Sequence, residues 1–233
     1  AFLSPAIEVK TRSAPDSRRI GVRRSRGTVA KLAALFALDA FAGGFIVQSL
    51  VAYWFYLRYK TDINALGGIF FGANLLSALS FLAAPTIARR IGLLNTMVFT
   101  HLPSNFLLLL VPLMPNLELT IVVLLARHLL SQLDVPTRQS YTMAVVDPSE
   151  RAASAGIMSV ARNVGAAIAP LFTGPVLAAP SLGLPFLLAG GLKILYDLTI
   201  FALFRNLRPP EEIAQNSGTK TGYGNSQRTR ERG

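Results

Sequence analysis

Six stretches of this chain are apolar over lengths that suit a membrane-crossing helix, and short polar or proline-containing connections part them. Crossing the hydrocarbon of a bilayer takes about 20 mostly apolar residues. The segments that qualify are 29–56, 63–88, 91–114, 117–146, 152–178 and 183–206. LRYKTDIN follows the first and ARRIG closes the second; MPNLE separates the third from the fourth, and VDPSER and AAPSLG follow the fourth and fifth. Helix-start chemistry sits in these connections. Asp147-Pro148-Ser149-Glu150 offers an N-cap aspartate, a proline at the first helical position and an acid at the third. Asn116 and Asp62 are placed to cap the fourth and second spans. The pattern predicts an all-α membrane protein, a six-transmembrane-helix bundle over residues 28–206. A basic segment (1–27) and a polar tail (207–233) flank it.

Composition sharpens that picture. Hydrophobic residues make up 52% of the chain and charged residues 15%, against roughly 25% charged in soluble domains. The charges are segregated: residues 1–31 hold eight Lys/Arg against two acids, and residues 205–233 hold six against three. Basic residues beside hydrophobic spans fit attraction to an anionic membrane surface better than nucleic-acid binding. With the N-terminus inside, the inner side collects both flanks with Arg89, Arg90 and Arg151, while the outer side holds only Arg58 and Lys60. That asymmetry predicts a multi-pass protein of the cell membrane with both termini cytoplasmic. The chain has no cysteine and two histidines, His101 and His128, so thiolate chemistry is excluded and neither a metal site nor a cofactor is expected. The opening AFLSPAIEV lacks a basic n-region ahead of an apolar one and is not read as a signal peptide. A fragment of a longer protein is expected.

Ionisable groups at membrane depth are costly unless paired or hydrated, so each is a functional-site hypothesis. In the fourth span Arg127, Ser131, Asp134, Arg138 and Tyr141 recur at spacings of four, three, four and three, which stacks them on one helical face. Asp134 and Arg138 are set to pair at i, i+4, whereas Arg127 needs a water or another helix to reach them. This face is read as the lining of a hydrated cavity, with a static buried ion-pair cluster as the alternative. Pro136 removes a backbone donor and crowds the carbonyl of Gln132, predicting a kink. In the first span Asp39 lies roughly 15 Å deep at about 1.5 Å per residue; Gly43-Gly44 follow one turn later, and Gln48 continues the polar side. Asp39 is read either as a proton site or ion-pair gate or as a permanent salt bridge. Arg162 is expected to snorkel or to pair with Asp147 or Glu150. Lys193 and Asp197, at i, i+4, are expected to neutralise each other. His101 and Asn105 share a face and are expected to join helices.

Three stretches, LDAFAGGFIVQSLVAYWFYLRY, SQLDVPTRQSYTMAVVDPSERAA and SVARNVGAAIAPLFTGPVL, together resemble the C-terminal half of a bacterial-type major facilitator superfamily carrier, over about residues 28–206. The family's loop motif after the second helix of a half, Gly-x-x-x-Asp-Arg-x-Gly-Arg-Arg, matches PTIARRIGLL only in part. Arg90 and Gly92 are retained, while Pro85 stands for the first glycine and Arg89 for the aspartate. An aspartate-based gate at that loop is therefore not implied. The resemblance implies one half of a twelve-helix fold whose first and fourth helices line a central cavity, with substrate near the midplane and the two halves rocking to alternate access. It makes the N-terminal segment the central cytoplasmic loop of the full carrier.

The expectation is a non-enzymatic secondary transporter of a small solute, with coupling to protons left open. Asp39, Gln48, Arg127, Ser131, Asp134, Arg138 and Tyr141 would line the substrate or ion pathway. Arg89, Arg90, Arg162, Lys193 and Asp197 would gate or pair helices. Its partners would be the lipid bilayer and an N-terminal six-helix half or a second copy. The alternative is a non-transporting scaffold or truncated carrier remnant. No G-x-x-x-x-G-K-[ST] loop supports an ATP-driven pump, and no G-x-S-x-G elbow accompanies His101 to support an intramembrane serine hydrolase.

Overall fold

The computed structural model describes residues 22–178 and 183–207. Most of the expected basic linker and tail, and most of the fifth connection, lie outside the described residues. Among the described residues eight α-helices make up six spans: α1 (Arg26–Gly43) with α2 (Gln48–Tyr59), α3 (Ile63–Ile91), α4 (Leu93–Leu110), α5 (Leu117–Ser131) with α6 (Asp134–Val145), α7 (Arg151–Ala178) and α8 (Leu184–Phe204). Six helical stretches are long and apolar enough to cross a membrane, and no strand occurs among the described residues. At 1.5 Å per residue the 21 residues of α8 reach about 32 Å, close to the ~30 Å of hydrocarbon in a bilayer.

The caps follow the sequence. Asp62 accepts from the backbone N–H of Asn64 and Ala65 at 2.8 and 3.0 Å, and the Ala65 and Asn64 bonds hold its carboxyl below the usual carboxylate range. Asn116 accepts from Leu119 N at 2.9 Å. Gly92 ends α3 with φ 88°, a conformation that glycine adopts freely. This is a physical reason for a glycine at that loop position.

Two spans are interrupted. In the first, α1 gives way to a 3₁₀ turn at Gly44–Ile46 and an extended Val47 before α2 begins. A side chain at Gly44 would collide with the methyl of Ala169, and one at Gly165 with the carbonyl of Ala37. Small residues thus let α1 and α7 approach closely. In the fourth span the helix stops at Ser131 and resumes at Asp134. Pro136 has no N–H to offer Gln132, and the Thr137 hydroxyl bonds the carbonyls of Leu133 and Asp134, each at 2.9 Å. The predicted kink is a full break.

Two apolar clusters form the core. One gathers Val29, Leu32, Phe36, Met97, Val98, Tyr141, Ile200 and Phe204. The other gathers Phe45, Trp54, Phe55, Leu66, Leu108, Leu124 and Phe186. The outward faces of α3 (Phe71, Leu75, Leu79, Leu82) and α7 (Val160, Val164, Ile168, Leu171) are exposed and apolar, as lipid-facing or partner-facing surfaces must be.

Candidate functional site

Along each of four spans the chain passes from one apolar cluster to the other, and buried polar residues lie at the crossing. On α1 it is Asp39, between Phe36 and Phe45; on α8 it is Lys193, between Phe186 and Tyr196. On α4 it is His101 and Asn105, between Val98 and Leu108. On the fourth span it is Ser131, Asp134 and Arg138, between Leu124 and Tyr141. Each of these four spans thus carries buried polar residues between positions in the two apolar clusters, a polar stratum inside the bundle.

Asp39 is the hub. Lys193 Nζ donates to its Oδ1 at 2.5 Å and Arg138 Nη1 to its Oδ2 at 2.9 Å, while Arg162 Nη1 stands 3.5 Å from Oδ2. One carboxylate therefore holds cations from α6, α7 and α8. Arg138 is shared with Asp134 at 3.4 Å, the i, i+4 pair of the sequence reading, and its guanidinium lies 5.4 Å from the Phe36 ring centroid, within cation–π range. Two carboxylates thus face three cations. The hub opens on a groove of about 650 Å³ lined by Asp39, Gly43, Ser49, Arg162, Thr173 and Lys193.

Several expectations are corrected. Lys193 and Asp197 do not neutralise each other. Lys193 turns to Asp39 on α1, and Asp197 turns to α4, where His101 Nδ1 (2.8 Å) and Asn105 Nδ2 (2.8 Å) donate to its two oxygens. α8 packs against both α1 and α4, so each charge finds a partner on a different neighbour. Arg162 reaches Asp39 instead of a loop acid or the interface. The fourth-span face is not continuous, because the break at Gln132–Leu133 separates Arg127 and Ser131 from the residues beyond it. Ser131 donates to His128 O in its own helix at 3.4 Å. Tyr141 is fully buried, packs edge-on against Phe204 and donates to Leu207 O at 3.2 Å; it packs between helices and does not face the groove.

Arg127 lies apart from the hub. It lines a second cavity of about 100 Å³ with Gln48, Asn74, His128, Phe70 and Phe186. Its Nε is buried without a hydrogen-bond partner, and it makes no ion pair among the described residues. Arg89 and Arg90 are exposed at the end of α3, where Arg89 Nη2 stands 3.4 Å from Thr86 Oγ1.

The sequence reading missed one tertiary cap. The buried Glu150 carboxylate accepts from the backbone N–H of Arg23, Arg24 and Ser25 at 2.6, 2.8 and 2.9 Å, at the start of α1. Ser25 Oγ accepts from Asp147 N at 3.1 Å, and Arg24 pairs with Asp147 at 3.3 Å. Ser149, through its hydroxyl and its backbone N–H, holds the Asp147 carboxyl below the usual range. The only sequence signal was an acid in a connecting loop, which does not say whose helix it caps.

The fold and this interior define an all-α integral membrane protein with six candidate spans. No protein-family model and no solved structure matches the chain. Among curated proteins it is similar to the uncharacterized membrane protein YJR124C of Saccharomyces cerevisiae, at 26% identity over 175 residues. The match covers 75% of this chain and 39% of the yeast protein, so the chain spans about two fifths of that relative's length.

Proposed function

We propose that the chain forms one wall of a secondary carrier of the major facilitator type, the six-helix C-terminal bundle, which moves a small solute by alternating access. Both termini face the cytoplasm of a cell-membrane protein, as the Lys/Arg distribution predicts. The observation that carries the reading is the Asp39 hub. A single buried carboxylate ties the first span to the fourth, fifth and sixth, beside a groove and one turn before a break in its own helix. Protonating that carboxylate, or drawing off one of its cations, changes the attraction among four helices at once. A bistable packing of this kind is what alternating access needs. Interrupted helices lining a polar interior are a further support, since irregular backbone at membrane depth is tolerated where it is buried in protein or lines a cavity.

In this reading Asp39 is the proton-coupling acid, Lys193 and Arg138 hold it when it is charged, and Arg162 at the groove edge exchanges with solute or proton. The longer yeast relative is consistent with a second bundle that completes the cavity. The test is reconstitution of the chain, with and without a co-expressed N-terminal half, and uptake driven by an imposed pH gradient. Asp39→Asn should abolish the pH dependence while the protein stays monodisperse. PH-driven movement unchanged by Asp39→Asn would remove Asp39 from coupling, and no movement under any driving force would favour the scaffold alternative.

A further inference from the structure

The Arg127 cavity has a chemistry of its own. It is lined by the first, second, third, fourth and sixth spans and, unlike the Asp39 groove, it holds no carboxylate. Arg127 brings one permanent positive charge. Its Nε is unsatisfied, and among the described residues no acid comes within ion-pair distance of it. Gln48 and Asn74 add neutral amides. His128 Nδ1 donates to Leu124 O at 2.8 Å, since a carbonyl only accepts, and its other ring nitrogen remains available. The remaining wall is apolar and includes Phe70, Leu108 and Phe186.

We infer that this cavity binds a small organic monoanion, a carboxylate with a short apolar tail, with Arg127 as the residue that holds the carboxylate. Asp39 attracts Arg127 only from beyond contact distance, and a cation whose buried Nε has no partner is costly, a cost that an anion bound in the cavity reduces. A single positive charge balances a monoanion; a dianionic phosphate would leave net negative charge in a low-dielectric site. The guanidinium fork matches a carboxylate in bidentate fashion, the amides offer donors to the same oxygens, and the apolar wall suits a hydrocarbon tail. At roughly 30 Å³ per water the cavity has room for about three waters, the scale of a carboxylate head, and it is partly open, so that a short tail can extend from it. The inference deepens the carrier reading and rests on it for what the site is for, since the anion bound here would be the solute or its charged end.

The test uses the chain in lipid nanodiscs with radiolabelled butyrate as probe, and butyramide, butylammonium, chloride and inorganic phosphate as competitors. Butyrate should bind saturably and raise the unfolding temperature, as a ligand of the native state does. Butyramide, which has the same shape without the charge, should compete at least about tenfold more weakly. Arg127→Gln should weaken butyrate by at least about tenfold and Arg127→Lys by less. Equal competition by butyramide overturns the carboxylate reading without any variant, so the result does not depend on a variant's folding. Displacement by chloride as good as by butyrate makes this an inorganic-anion site and overturns the organic assignment. Failure of the two readings is separable. Arg127-dependent butyrate binding without movement across proteoliposomes leaves the site standing and removes the carrier. Solute movement with no butyrate binding removes the site and leaves the carrier.

Discussion

Removing the charge of Asp39 is the perturbation whose consequence the structure specifies most closely. Asp39→Asn keeps size and shape but leaves Lys193 and Arg138, both buried, without their anion. At separations of 2.5 and 2.9 Å and an effective dielectric constant of ~20, the two Coulomb attractions amount to roughly 6–7 and 6 kcal/mol. Desolvation cancels most of this gross gain, because each buried ion loses several kcal/mol of hydration. The loss is not symmetrical, however. Breaking a buried pair by removing one partner strands the other charge, and the expected destabilisation is about 3–5 kcal/mol. Asp134 moderates the effect for Arg138, to which it remains a partner at 3.4 Å, but does nothing for Lys193. Lys193→Met added to Asp39→Asn should therefore recover a large part of the loss, with a coupling of about 1–3 kcal/mol. The assay is reversible unfolding in mixed micelles, run as a double-mutant cycle. A parallel cycle on Lys193 and Asp197, four residues apart but facing different helices, should give coupling below about 0.5 kcal/mol. An Asp39→Asn cost under about 1 kcal/mol, or a Lys193–Asp197 coupling larger than the Lys193–Asp39 one, would refute the reasoning.

Other expectations follow from single contacts. Gly165→Val places its Cβ on the Ala37 carbonyl and should cost at least about 1–3 kcal/mol by forcing α1 from α7, while Gly67→Ala, with open space around it, serves as the unperturbed control in the same unfolding assay. Thr137→Val removes the hydroxyl that bonds the carbonyls of Leu133 and Asp134 at the helix break and should cost about 1 kcal/mol. Asn116→Ala should cost about 1 kcal/mol by unsatisfying the start of α5. The Asp147 carboxyl titrates below its ordinary value, so its stabilisation is complete above about pH 4 and is lost as pH falls through its lower folded value. Acid unfolding should accordingly steepen below about pH 4, and Asp147→Asn should remove that part of the slope; a slope that persists in Asp147→Asn assigns it to other carboxylates.

The sequence by itself determined what local rules govern. Six apolar runs long enough for the bilayer become six helical spans, because backbone groups in lipid must be satisfied within their own segment. Asp62, Asn116 and Pro136 act within one turn of chain, and their caps and break fall where the pattern predicts. Asp134 and Arg138 meet because i, i+4 neighbours share a helix face as long as the helix continues. That Asp39, Arg127 and Lys193 lie inside a span was equally legible, because a charge at membrane depth stands out against its apolar neighbours.

Partner choice across helices belonged to the tertiary structure. Lys193 had Asp197 one turn away, yet it pairs with Asp39 because α8 lies between α1 and α4 and presents each charge to a different one. Arg162 reaches the same carboxylate because Gly165 and Gly44 let α7 lie close against α1. Glu150 caps a helix that begins about 125 residues earlier in the chain. Arg127 makes no ion pair among the described residues, because Asp134, beyond the break in its span, pairs with Arg138. Spacing along a helix fixes which residues share a face, whereas the packing of that helix among its neighbours decides what the face meets. An ion pair depends on where its partner sits within a few ångströms, which no periodicity encodes.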